Sequence, residues 1–114
     1  MSARDVLLAY VTVPDGTGDG AAALALARDL VEAGLAAGVN VLGGGRSVYR
    51  WDGEVREAAE RVLVAQVAAP AFAAFREAVL ARHPHVVPCV LGLGVAEGHA
   101  PFLHWIAENS APRP

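Results

Sequence analysis

The chain has 114 residues, 54% of them hydrophobic and 18% charged, with a formal net charge of −3. That supplies the core of one domain and not of two. A mildly acidic chain carries no electrostatic footprint for nucleic acid or an anionic membrane, and the single cysteine, Cys89, excludes an intramolecular disulfide.

A reducing compartment suits that cysteine usage. The first apolar run, residues 6–13, is far too short to span a bilayer. Arg4 and Asp5 nearly cancel ahead of it, and no small-residue cleavage site follows. Neither a signal peptide nor an anchor is expected, and the expected location is cytoplasmic.

Residues 6–13 read as a strand stopped by Pro14-Asp15-Gly16. A helix follows, with Asp19 or Thr17 as its N-cap. Ala23, Leu26, Ala27, Leu30 and Val31 fall on one face, and Gly34 and Gly38 mark its end. Residues 39–51 then form the first arm of a long hairpin, bent at Gly43-Gly44-Gly45. Asp52-Gly53 makes the turn, because a tight hairpin turn needs positive φ and Gly has no Cβ to oppose it. The second arm runs over residues 54–68. Pro70 opens a second helix with Phe72, Phe75, Val79 and Leu80 inside, closed by His83-Pro84. A strand is expected over residues 86–95 and a short helix from Pro101 through Ile106, with a tail after it.

The order β-α-β-β-α-β plus a C-terminal helix predicts an α+β, ferredoxin-like split βαβ domain over residues 1–114, its core at about residues 6–109. Right-handed crossovers put both main helices on one face of the sheet. Strands that met water on the other face would alternate apolar with polar. Residues 6–13, 62–67 and 86–95 are instead apolar nearly throughout. The hairpin is also longer than so small a core can support. Both features ask for an oligomer.

Val39-Asn40, the string Ser47-Val48-Tyr49-Arg50-Trp51-Asp52-Gly53-Glu54-Val55, His83-Pro84-His85 and Phe102-Leu103-His104-Trp105-Ile106 together resemble the CutA-like divalent-cation tolerance family. The resemblance covers about residues 6–109. It implies a homotrimer resembling the PII signalling proteins, with interlocking hairpins, and a link to copper or another divalent metal. The sequence departs from the family pattern at Gly38, where many members carry cysteine, at Cys89, where glutamate is usual, and at Gln66, where lysine is usual. Arg56, Ala58 and Ala59 replace part of an acidic run that leaves Glu57 and Glu60, and Gly43 replaces a common proline.

His83, His85 and Cys89 form the cluster with metal-ligand chemistry, since imidazole and thiolate suit copper or zinc. Each also has a structural reading: His83 at a helix C-terminus, His85 in a loop, Cys89 as a small buried hydrophobe. Tyr49, Trp51, Glu60 and Trp105 are candidates for lining a cleft between subunits, or for anchoring the interface itself. Gly43-Gly44-Gly45 with Arg46 offers an anion site, against the commoner meaning of a bend in a long strand. No paired catalytic signature stands out. The sequence therefore reads as a non-enzymatic homotrimer binding copper or another divalent metal, with no organic cofactor and no nucleic-acid or membrane partner. Second comes a PII-like regulator sensing a small anion or metabolite through the glycine bend and Arg46. Third comes an enzyme built on the same scaffold around Cys89 or Glu60.

Overall fold

Alternation along the first strand decides the layering. In a computed structural model that describes residues 5–111, Val6–Pro14 (β1) turns Ala9, Val11 and Val13 to one side, where they are buried. Leu8, Tyr10 and Thr12 turn to the other, where they are half-buried. Glu54–Ala68 (β4) runs antiparallel beside it, with Leu63, Ala65 and Val67 matching the buried side. Gly38–Val41 (β2), Gly45–Trp51 (β3) and Val90–Gly94 (β5) complete an antiparallel sheet in the order β2-β4-β1-β5, with β3 continuing the β2 arm along β4. This is the expected ferredoxin-like α+β order.

Helices Ala21–Glu32 (α1) and Phe72–Arg82 (α2) cover the buried side, and Leu26, Leu30, Phe75 and Val79 close the core against it. A one-turn 3₁₀ segment, Ala69–Ala71, carries Pro70 into α2. Val31 and Leu80 were expected inside and are 38% and 41% exposed. Val31 faces an open groove between α1 and β2, beside Val39 and Val41, and Leu80 is partly uncovered. Gly20, with φ 74°, is the N-cap of α1, one residue after Asp19 and three after Thr17, the two expected caps. Asp19 still accepts a hydrogen bond from the Ala21 N–H, at 3.0 Å. Gly34, with φ 77°, ends the helix: its N–H bonds the Val31 carbonyl, and the Leu35 N–H reaches back to Leu30. That is a Schellman ending, which favours glycine at this position.

The hairpin turn falls at Asp52-Gly53, both with positive φ (53° and 78°), the signature of a type I′ turn. The glycine bend is a one-residue bulge. Val41 pairs with Leu63 and Gly45 with Glu60, so three residues on the first arm face two on β4.

The expected strand over residues 86–95 begins only at Val90. Pro84 and Pro88 have no N–H to donate to a ladder, and Val86 between them is 92% exposed. Helix Ala100–Asn109 (α3) packs Leu103 and Ile106 against Val6 and Ala37 at one end of the sheet. Ser110 fastens it there: its hydroxyl accepts from the Ala68 N–H at 2.8 Å and donates to the Leu35 carbonyl at 3.2 Å. Met1 to Arg4 and Pro112 to Pro114, the latter expected as tail, lie outside the described residues.

Arg61 locks the bulge to the loop before α1. Its Nε donates to Asp15 Oδ2 at 2.7 Å and its guanidinium to the Gly18 carbonyl at 3.0 Å. The hydrogen bond from Arg61, and then the one from the Gly20 N–H, hold the Asp15 carboxyl below its ordinary value of 3.8. A lowered carboxyl pKa adds stability that is complete above the unfolded value and disappears as pH falls through the folded one. Urea midpoints of wild type and Asp15→Asn should therefore differ at neutral pH and converge once pH falls well below 3.8. A gap that stayed constant into acid would remove this role from Asp15.

Candidate functional site

The sheet face away from α1 and α2 is where alternation places the site. Pro14 pairs with Glu60, Thr12 with Val62 and Tyr10 with Val64, so the side chains at 10, 12, 60, 62 and 64 share that face. Along the projecting hairpin, Ser47 pairs with Ala58, Tyr49 with Arg56 and Trp51 with Glu54, which continues the same face outward. The segment after α2, residues 83–89, then runs across it. Together these enclose an open cleft of about 600 Å³ lined by Tyr10, Thr12, Tyr49, Trp51, Glu60, His85 and Cys89, with Val86 and Val87 at one wall.

Of the residues singled out from sequence, the structure brings Tyr49, Trp51, Glu60, His85 and Cys89 into this one cleft. His83, Arg46 and Trp105 are elsewhere. His83 caps the C-terminus of α2, and its Nε2–H donates to the Thr12 carbonyl at 2.7 Å. Its Nδ1 accepts the His85 N–H at 3.1 Å. Both ring nitrogens are engaged, so a metal could bind there only by displacing one of these bonds. The imidazole pins the 83–89 segment to β1 and so forms the cleft without lining it. Arg46 points to the opposite hairpin face, one register position from Ser47, and pairs with Glu57 at 2.7 Å. Trp105 stacks on Phe102 (centroids 5.2 Å apart) and lies over Gly38, where an added Cβ would sit 3.2 Å from its ring. Gly38 pairs in the ladder with Gln66, whose amide donates to Asn40 Oδ1 at 2.9 Å. Two of the departures from the family pattern, Gly38 and Gln66, are thus one packed cluster beneath Trp105.

Glu60 dominates the floor of the cleft. Its side chain is 9% exposed and takes no hydrogen bond from a described residue. Its one ion-pair contact among them is His85 Nε2, 3.9 Å from Oε2, with His85 itself half exposed. Cys89 is a free thiol, partly buried. Among the described residues, no three His, Cys, Asp or Glu side chains are placed to hold one metal ion. Tyr10, Thr12 and Ser47 also line the cleft and were not singled out from sequence. Their signal was the period-2 alternation, which could be used only with the Pro14–Glu60 register in hand.

Comparisons with known proteins agree with this architecture. Residues 7–109 match the family model described as CutA1 divalent ion tolerance protein. The chain is 44% identical over 85 residues to the divalent-cation tolerance protein CutA of Thermus thermophilus, covering 75% of this chain and 82% of that one. It is 37% identical over 100 residues to a CutA homolog of Xenopus laevis, covering 88% of this chain and 64% of that longer protein. A solved Thermus thermophilus Cut A1 structure superposes with a TM-score of 0.86 at 39% identity, covering 93% of this chain and 99% of that one. A rice relative is named chloroplastic and an Archaeoglobus fulgidus structure periplasmic, so such proteins are not tied to one compartment. No described helix is long and apolar enough to cross a membrane.

The two histidines should separate cleanly on substitution. His83→Ala strands the Thr12 carbonyl and the His85 N–H, and should lower stability by about 1–3 kcal/mol in urea unfolding. His85→Ala removes a half-exposed ring and should stay within about 0.5 kcal/mol of wild type. Equal costs would mean that His83 is not the structural pin.

Proposed function

The chain belongs to the CutA1 divalent ion tolerance family, and from that premise we propose that it is a non-enzymatic homotrimer, resembling PII proteins in plan, whose clefts bind copper or another divalent cation. The observation that carries the reading is Glu60, a nearly buried carboxylate at the floor of an open cleft, with His85 3.9 Å away. Its oxygens are not sealed from solvent, so through the open cleft a cation can reach a carboxylate whose acceptor capacity no described side chain uses. His85 and Cys89 add the imidazole and thiolate that copper and zinc favour. One chain offers too few ligands in one place, so the remaining coordination positions fall to a neighbouring copy or to water. His83 serves by holding the segment that carries His85.

The trimer has its own support. Leu91 and Leu93 are 55% and 50% exposed on the sheet face away from the helices, and the hairpin extends past the core with Val48 and Val55 bare. Neighbouring copies that cover the open sheet face and the opposite face of the hairpin remove both apolar areas from water. A cytoplasmic location belongs to the same reading and rests on the lone free thiol.

One feature favours the second reading, a small organic ligand: about 600 Å³ with aromatic walls exceeds what a bare ion fills. The anion version of that reading loses its support, since Arg46 is paired to Glu57 on the opposite hairpin face and the glycines form a bulge.

Titration of the full chain with copper(II) and zinc, followed calorimetrically, tests the first reading. Saturable, stoichiometric binding should weaken about tenfold or more in His85→Ala and in Glu60→Gln, and change less in His83→Gln. Binding indifferent to His85 and Glu60 would put the metal elsewhere.

A further inference from the structure

We propose that the Glu60 cleft is a binding site for an organic ammonium ion, with Glu60 as its counter-charge and Tyr10, Tyr49 and Trp51 as its walls. The proposal rests on the reading of this cleft as the binding site and names a different cargo for it. Three aromatic side chains and a nearly buried carboxylate line one cleft of about 600 Å³. Aromatic faces give a metal ion no lone pair, but their quadrupole attracts a weakly hydrated cation, more so where water is excluded. A carboxylate at the floor takes hydrogen bonds from an ammonium N–H, a charge-assisted pair of the strong kind. The lining of one chain therefore suits an alkylammonium by itself, whereas a metal would also need ligands from a neighbouring copy or water.

The polar neighbours are consistent with this. His85 Nε2 lies 3.9 Å from Glu60, outside hydrogen-bond range, which leaves the carboxylate free to take a donor from a ligand. Thr12 and Ser47 place hydroxyls along the same walls. Arg56 is the cation on this lining and is four residues along β4 from Glu60, about 13 Å at strand rise. Its nearest charged partner is Glu54, at 3.8 Å. Its guanidinium is directed to Glu54 and not to Glu60.

The test titrates n-butylammonium chloride and the neutral analogue 1-butanol into the full chain carrying Trp105→Phe, so that Trp51 is its one tryptophan. Butylammonium should produce a saturable change in Trp51 emission, with butanol about tenfold weaker or silent. Glu60→Gln, close to isosteric, should weaken ammonium binding about tenfold or more, and Tyr49→Leu should weaken it by a smaller factor. Butanol binding as well as butylammonium, or full affinity in Glu60→Gln, overturns the proposal. The butanol comparison uses the unaltered cleft, so misfolding of a cleft variant cannot mask the answer. If copper or zinc binds through Glu60 while butylammonium does not, the ammonium proposal falls and the metal reading stands. If neither cation binds, both fall.

Discussion

A fifteen-residue strand with a nine-residue neighbour is the constraint on which the rest of this structure depends. β1 pairs with β4 from Ala68 only as far as Glu60. Beyond that point, residues 54–59 have β3 on one edge and no β1 on the other. A two-stranded ribbon is marginal alone in water, so this one must gain support either from its own turn and bulge or from another surface. The Asp52-Gly53 turn gives it the right twist, and the bulge at residues 42–44 sets its direction at the place where the core ends. Arg61, opposite the bulge, ties that junction to Asp15 and Gly18.

The cleft is a by-product of the same geometry. Glu60 is the last residue of β4 to pair with β1, at Pro14, and the first to pair with β3, at Gly45. The side chains that share its face therefore come from three sources: Tyr10 and Thr12 from β1, Tyr49 and Trp51 from the ribbon, and His85 from the segment after α2. His83 holds that last segment in place with two hydrogen bonds, one to each ring nitrogen. A carboxylate at such a junction is shielded on its protein side and open toward the cleft. That arrangement is suited to binding a cation and poorly suited to stabilising the monomer.

Local chemistry made much of the fold legible. The Asp-Gly turn, the glycine bend, Pro70 ahead of α2 and the 3.6-residue stripe of α1 are each set by neighbours in sequence, and each appears where the residues place it. Failures came where distant contacts decide. Val86 and Val87 read as strand because they are apolar and β-branched, yet the flanking prolines deny them a ladder and leave them beside the cleft. His83 and His85 look alike in sequence, and only the Thr12 carbonyl, 71 residues away, distinguishes the pin from the cleft residue. Trp105 shares the aromatic character of Trp51 but rides on α3 to the far end of the sheet, over a glycine that alone has room for it.

The most direct test of the central claim, that this surface and ribbon are completed by other copies of the chain, is the mass of the full-length protein in solution. Sedimentation equilibrium at micromolar concentration should return three times the 11.8 kDa of a single chain. A folded species that stays at one chain mass would contradict the claim, because the exposed leucines and the unsupported ribbon would then be stable in water by themselves.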